Sequence, residues 1–311
     1  MNENQIDHDR LFKELLETFF AEFIELFFPE AALSIDLKHI KFLQQEIFTD
    51  VTAGEKRKVD ILVETRLKDE PGLILVHVEP QAYVQKNFNR RMFIYFSRLY
   101  EKYRRKILPV VVFSYDRVRN EPDSFELGFP FLDVLNFRFY KLELKKLNWR
   151  EYIKSDNPVA AALLSKMGFK PEEKVKVKLE FMRMLVRMKL DPARMELLAG
   201  FFETYLKLNR EEEEQYNREL GTLDRKEVDI IMQITTSWHE KGRAEGNIEA
   251  RREVIRKYLD RRFGKKSAGL QEKVQQMSSL KVLDYVLEEL FAANTLEEAR
   301  AIINEGVVEP S

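Results

Sequence analysis

The sequence predicts a mixed α/β domain at the start of the chain, followed by an all-helical region. Three observations lead to this prediction. Residues 10–28 repeat apolar side chains at helical spacing, residues 107–115 form a continuous β-branched apolar run, and strand patterns stop near residue 150. We therefore expect an α/β domain over 1–150, a helical region over 151–225 and a charged helical region over 226–311.

The composition argues against several classes of protein. The 311 residues include no cysteine, which excludes disulfide frameworks and cysteine-based zinc or iron–sulfur sites. The 52 basic and 53 acidic side chains leave a net charge of −1, which argues against a uniformly basic nucleic-acid binder. The first residues lack a basic-then-apolar pattern, so we expect no secretory signal. No apolar run reaches the ~20 residues that a membrane span needs. The composition thus predicts a cytoplasmic protein without a membrane partner.

Each element of the α/β domain follows from its local pattern. Residues 10–28 predict an amphipathic helix that is capped by Asp7 or Asp9 and stops at Pro29. The turn composition of residues 66–72 predicts a hairpin between the strands on either side. The remaining segments predict strands over 40–48, 58–65 and 73–79, a helix over 86–106, a strand over 107–115, a loop over 116–130 and a strand over 131–144.

From residue 151 onward the apolar periodicity is helical. The acidic run over residues 208–220 is typical of a solvated helix or a linker. We expect the charged helical region near the end of the chain to carry any homo-oligomer contacts. The helix candidates are 159–167, 175–190, 195–208, 279–292 and 295–304.

Two acidic residues interrupt the apolar strands of the predicted hairpin. Asp60 lies inside one apolar run and Glu79 ends the next. A carboxylate in such surroundings is costly unless it is paired, hydrogen-bonded or bound to a metal ion. If the hairpin is centred between Asp69 and Glu70, the two carboxylates face each other with Cβ atoms about 5 Å apart. Because such a pair repels unless it shares a cation, we expect a site for Mg²⁺ (or Mn²⁺).

Gln81 is expected on the same side of the strand as Glu79, because side chains two residues apart share a face. His77 shares that face too, although a hydrogen-bonded structural histidine is the simpler interpretation. An alternative for the two acids is a salt bridge at a strand edge with Arg57 or Lys58.

The helix predicted over 86–106 is strongly basic, with eight Lys or Arg residues and one acid. Apolar side chains on one face are expected to pack in the core. A basic face predicts sequence-independent, salt-dependent contacts with DNA phosphates, and an ordinary solvated face is the alternative. The residues that helical spacing places on that basic face are Arg91, Arg98, Lys102 and Arg105.

Four segments in this order carry a family resemblance: DHDRLFKELL near the start, then KVDILVE, HVEPQ and NRRMFIYFSRLYEKY. Together they resemble the recombination-promoting nuclease/putative transposase family of the PD-(D/E)XK nuclease superfamily. The resemblance covers residues 5–150. The later segments WHEKGRAEG and LDRRFG resemble the C-terminal region often joined to such domains.

The resemblance implies a metal-dependent endonuclease fold, a PD-(D/E)XK-like mixed sheet flanked by helices. It implies that Asp60 and Glu79 are the acidic metal ligands and that Gln81 stands where the superfamily usually has lysine. A neutral amide orients a reactant through hydrogen bonds but supplies no positive charge. Asp9 and Lys13 match the N-terminal helix motif and border the site in this interpretation. Otherwise they are a capping acid and a solvated lysine.

Two functions follow from these observations. The first, implied by the resemblance, is a Mg²⁺- or Mn²⁺-dependent DNA endonuclease that cleaves phosphodiester bonds and promotes recombination. The second is a catalytically weak or inactive nuclease-fold module that binds DNA or protein. The presence of Asp60 and Glu79 favours the first, and the neutral Gln81 favours the second.

Overall fold

The computed structural model describes residues 8–43, 47–49, 56–58, 61–67, 70–79 and 87–308. Some side chains within these ranges, including those of Asp9 and Glu79, lie outside the description. The chain divides into two compact units, Met1–Ile231 and Met232–Ser311.

The first unit begins with three short helices where the sequence predicted one helix over 10–28. They are α1 (His8–Thr18), α2 (Phe20–Phe27) and α3 (Pro29–Ala32). The breaks fall at Phe19 and Phe28, whose backbone dihedral angles leave the helical region. The predicted stop before Pro29 is confirmed, since α2 ends at Phe27. Pro29 then opens the short helix α3, because a proline in the first turn needs no N–H donor.

The described residues form nine strands. They are β1 (Lys41–Phe42), β2 (Ile47–Thr49), β3 (Lys56–Lys58), β4 (Ile61–Leu67), β5 (Glu70–Glu79), β6 (Lys106–Phe113), β7 (Ser124–Phe129), β8 (Leu132–Arg138) and β9 (Tyr140–Glu143). Five of them make one mixed sheet in the order β1-β4-β5-β6-β9, with β5, β6 and β9 parallel to one another. This sheet confirms the predicted mixed α/β class.

The β4–β5 hairpin confirms the predicted pairing of these segments and corrects its register. Ile61 pairs with Val76 and Leu67 pairs with Glu70, so the hairpin is centred between residues 68 and 69. The predicted register is wrong by two residues, because both strands extend into sequence with turn composition. Pro71 is tolerated since β5 pairs with β6 only from Gly72 onward.

A basic helix, α4 (Phe88–Tyr103), covers β6 and buries Met92 and Leu99. The loop predicted over 116–130 is corrected by the structure, which pairs β7 with β8 in a separate hairpin. This hairpin is anchored on α4, where Asn89 Nδ2 donates a hydrogen bond to the carbonyl of Ser124 at 2.8 Å. β7 was not predicted because the segment 116–130 contains many residues that favour turns.

The rest of the described chain is helical apart from short connections, as predicted. Residues 208–220, predicted as a solvated helix or a linker, hold a helix capped by Asn209. The helices are α5 (Pro158–Leu163), α6 (Lys174–Met188), α7 (Pro192–Tyr205), α8 (Arg210–Leu220), α9 (Arg225–Phe263), α10 (Ala268–Gln276), α11 (Leu280–Ala292) and α12 (Leu296–Val308). Within the described ranges, no helix combines the length and the apolar character needed to cross a membrane.

The helices up to α8 belong to the same compact unit as the sheet. α7 packs on α1, and Asn157 Nδ2 donates a hydrogen bond to the carbonyl of Glu22 at 2.8 Å. The second unit has its own core, which is built from side chains of α9 to α12, among them Ile255, Leu283 and Val286. The domain limits predicted at residues 150 and 225 stay predictions.

Candidate functional site

Three parallel strands end together at one edge of the central sheet. Glu79, the last residue of β5, pairs with Phe113 at the end of β6, and Phe113 pairs with Glu143 at the end of β9. In open α/β sheets, ligands bind in the crevice outside the carboxyl ends of the parallel strands. This edge, which we call the carboxyl edge, is therefore the candidate site.

The predicted acidic site falls largely outside the described residues. Asp60 and Gln81 are not among them, and for Glu79 only the backbone is described. The direct pairing expected of Asp60 with Glu79 assumed the hairpin register that the structure corrects. Because side chains alternate with a period of two, the two-residue correction does not move a predicted side chain to the other face. The roles predicted for these three residues stay predictions.

A buried lysine lies near the carboxyl edge. Lys166 follows α5 in a short 3₁₀ turn, and its side chain is 3% exposed. Its Nζ donates a hydrogen bond at 3.0 Å to Oδ1 of Asp116, three residues beyond the end of β6. The Asp116 side chain is 76% exposed. The lysine amine is thus held beneath a carboxylate that faces solvent.

The buried helix α5 places this amine in the interior. α5 has proline at its start, and the Asn157 side chain accepts hydrogen bonds from the N–H groups of Val159 and Ala160. All six residues of α5 are buried, so the 3₁₀ turn that follows carries Lys166 into the interior. The ring of Tyr205 lies 4.7 Å from Nζ, which adds a cation–π contact.

Burial lowers the pKa of two lysines near the carboxyl edge. Burial lowers the pKa of Lys166 to about 8, and the nearby charge of Lys145 acts in the same direction, whereas Asp116 opposes the shift. Burial also lowers the pKa of Lys145. Buried amines with such shifts are candidates for functional groups.

The start of α1 reaches the same cluster. His8 Nδ1 lies 2.9 Å from the hydroxyl of Tyr205, and the two rings stack with centroids 5.4 Å apart. Asp9 follows His8 in α1, but its side chain is outside the described part of the chain. Lys13 forms an ion pair with Glu17 at 3.6 Å. The contacts thus place the beginning of α1 near Lys166, while the predicted border roles of Asp9 and Lys13 stay predictions.

Glu143 adds an ion-paired carboxylate to the carboxyl edge. Its side chain is 14% exposed and accepts a hydrogen bond from Lys146 Nζ at 2.8 Å. It also accepts one from the backbone N–H of Glu121 at 3.2 Å. These contacts fix the loop after β6 against β9, so we interpret Glu143 as a structural residue of the edge.

The structure corrects the basic face predicted on α4. The helix ends at Tyr103, because Arg104 adopts a left-handed conformation with φ of 51°. Arg105 is therefore not on the helix face, and it forms an ion pair with Glu64 of β4. Lys102 is exposed, whereas Arg91 and Arg98 are half-buried. Their contacts with DNA stay a prediction.

Sequence analysis missed the cluster of Lys166, Asp116, Tyr205 and His8. One signal was available: Lys166 lies between Leu164 and Met167 in an apolar helical stretch. The same criterion singled out Asp60. Lys166 and Asp116 are 50 positions apart in the chain, and His8 and Tyr205 are 197 positions apart. No local pattern predicts such contacts.

In the part of the chain whose side chains are described, no group of three or more His, Cys, Asp or Glu residues is placed to hold a metal ion. Asp60 and Glu79 are outside that part, so the predicted metal site is not addressed by this observation.

Comparison with known proteins identifies the family. Residues 6–189 match the family described as putative transposase, YhgA-like, and this match spans more than half of the 311 residues. No curated protein and no solved structure matches the chain. The match includes all four segments that carried the resemblance in the sequence, and it confirms that resemblance. The chain therefore belongs to the YhgA-like putative transposase family.

Proposed function

We propose that this chain is a divalent-metal-dependent DNA endonuclease with a PD-(D/E)XK-like fold, and that its cleavage of DNA promotes recombination. Membership of a transposase family supports DNA as the substrate. The observation that carries the proposal is the place of Glu79. Within the segment that matches the family, it ends β5 at the edge where β6 and β9 also end.

The donor atoms of the predicted site fit a hard cation. Asp60 and Glu79 contribute carboxylate oxygens, and a carbonyl oxygen near Gln81 can complete an all-oxygen set that suits Mg²⁺ or Mn²⁺. When bound, such an ion activates water as a nucleophile and neutralises charge on the phosphate.

Each residue has a separate role in this proposal. Asp60 and Glu79 hold the cation, and the Gln81 amide orients a reactant through hydrogen bonds. Arg98 and Lys102 of α4 bind DNA phosphates without regard to base sequence. The charged helical region at the end of the chain carries homo-oligomer contacts.

The neutral side chain of Gln81 supports a second candidate function. Without a lysine at this position, the predicted site has fewer groups that stabilise negative charge on a reacting phosphate. The chain would then be a catalytically weak or inactive module that binds DNA or protein through the same fold.

Nicking of supercoiled plasmid in the presence of Mg²⁺ or Mn²⁺ separates the two functions. We expect the wild-type chain to nick the plasmid and Asp60→Ala to lose this activity. Asp133→Ala, which removes an exposed carboxylate of β8, is the matched control and should nick like the wild type. If the wild-type chain binds DNA but does not nick it, the result supports the binding module and contradicts the endonuclease proposal.

A further inference from the structure

The Lys166–Asp116 pair is not explained by folding alone. The amine is almost completely buried and the carboxylate is mostly exposed, so the pair leaves the lysine desolvated without burying its counter-charge. Burial disfavours the charged amine, as its lowered pKa shows. Apolar side chains of similar volume often replace buried charges without loss of stability. A methionine would therefore suit the packing at this position, so stability does not explain why the residue is a lysine.

The position of the pair supplies that reason. Asp116 follows the end of β6, and the parallel register sets Phe113 of β6 beside Glu79 of β5. The amine is thus bonded to the loop that follows β6 at the edge where Glu79 ends its strand. His8 and Tyr205 connect the same cluster to the beginning of α1.

We propose that Lys166 supplies the positive charge of the nuclease site by donating a hydrogen bond to the DNA phosphate that is cleaved. This inference rests on the proposed endonuclease function and adds a residue from outside the acidic motif. Asp116 covers the amine in the free protein. Because its carboxylate is exposed, Asp116 can turn into solvent when a phosphate arrives.

The chemistry of the bond cleavage favours such a group. Attack by water on a phosphodiester increases the negative charge on the phosphate oxygens, and a preorganised donor in a desolvated setting stabilises that charge. An ammonium group has three N–H donors, and the described hydrogen bond to Asp116 uses one of them. Gln81 is neutral and cannot provide this charge. Lys166 keeps its proton throughout, so no further reactant is required.

The first test is the variant Lys166→Met in the full-length chain. We expect the cleavage rate of bound DNA to fall about 100-fold, the size of effect seen when one charge-stabilising donor is removed, while DNA affinity changes little. The fold should persist, because Asp116 is exposed and is not left as a buried charge. Thermal unfolding of the variant checks this point.

Lys178→Met is the matched control. Lys178 is also mostly buried, pairs with Glu203 and Glu213, and lies 5.3 Å from the ring centroid of Tyr216. Its partners belong to α7 and α8 instead of the loop after β6. This control should cleave DNA at the wild-type rate.

A second variant separates a charge role from a packing role. In Lys166→Met/Gln81→Lys, an ammonium group returns to the site from a different position. We expect this double variant to recover at least about tenfold of the lost rate, whereas a packing defect at residue 166 would not be corrected from residue 81. Gln81→Lys alone is measured alongside it.

The outcomes distinguish this inference from the proposed function. Loss of cleavage in Lys166→Met, retention in Lys178→Met and recovery in the double variant support the role of Lys166. Unchanged cleavage in Lys166→Met overturns the role of Lys166, and so does a loss of cleavage that the double variant does not recover. In either case the proposed endonuclease function still holds if wild-type cleavage depends on Asp60. A wild-type chain that never cleaves DNA overturns both.

Discussion

At the scale of single residues, burial of the Lys166 amine links stability to pH. Its pKa is about 8 in the folded chain and near 10.5 for an ordinary lysine. Between these two values the unfolded chain binds more protons than the folded chain, so the free energy of unfolding rises with pH in this window. The desolvation of the charged amine therefore costs stability in full below about pH 8, and this cost disappears toward pH 10.5.

Lys166→Met should remove this dependence. Since one pKa unit corresponds to about 1.4 kcal/mol, we expect the variant to be more stable than the wild type by up to about 3 kcal/mol at pH 7. The difference should shrink as the pH rises from 8 toward 10.5. Urea denaturation at several pH values measures it. An equal difference at every pH would contradict the lowered pKa of Lys166 in the folded chain.

Glu79 gives a second prediction at this scale. Glu79→Gln removes the charge at nearly constant shape, so the fold should be retained. If Glu79 is a metal ligand, the affinity for Mg²⁺ or Mn²⁺ should fall at least about tenfold, since even indirect partners of metal ligands have effects of this size. Titration calorimetry with each ion tests this. Unaltered affinity would exclude Glu79 as a ligand.

At the scale of elements, α4 combines a buried face with basic side chains. Met92, Tyr95 and Leu99 are buried, and the basic side chains lie on the other sides of the helix. Of the four basic residues predicted to contact phosphates, Arg105 lies beyond the helix and is paired with Glu64. The Arg91 guanidinium lies over the Phe88 ring, 5.1 Å from its centroid, so the test uses Arg98 and Lys102.

Replacement of Arg98 and Lys102 with alanine should weaken binding to unrelated DNA sequences to a similar extent. The slope of log affinity against log salt should fall by about 1.8 units, because each phosphate contact on duplex DNA contributes about 0.9. Arg210→Ala/Arg218→Ala on the acidic helix α8 is the control, and both of its side chains are exposed. If the Arg98/Lys102 double variant keeps the wild-type slope, these side chains do not contact phosphates and the basic face of α4 is an ordinary solvated face.

At the scale of the whole molecule, the second unit is expected to fold without the first. Its core is built from residues between 255 and 303, including Ile255, Leu259, Leu283 and Leu290. A fragment of residues 226–311 contains this unit, which begins at Met232. Circular dichroism should show a helical fragment with a cooperative thermal transition.

The control for this prediction is Leu283→Ala in the same fragment. Leu283 is fully buried, so the substitution should lower the free energy of unfolding by about 2–5 kcal/mol. A fragment that lacks a cooperative transition would show that the core of the second unit does not suffice for folding.

Local sequence patterns are enough to predict the class and order of most elements. The strand at residues 107–115, the basic helix over 86–106 and the helices after residue 158 follow from periodicity, which reflects how each segment buries one side. The ordered motifs of the sequence also identified the family. These features are local, or they repeat a pattern that many sequences share.

Other features depend on contacts between distant segments, and local patterns do not predict them. The register of β4 and β5, the breaks at Phe19 and Phe28, and the β7–β8 hairpin were each set by packing that overrides local propensity. The burial of Lys166 beneath Asp116 is of the same kind. Its Nζ meets Tyr205 of α7 and the loop after β6 only once the chain has folded, so the lysine gains its unusual environment from residues that the local sequence does not contain.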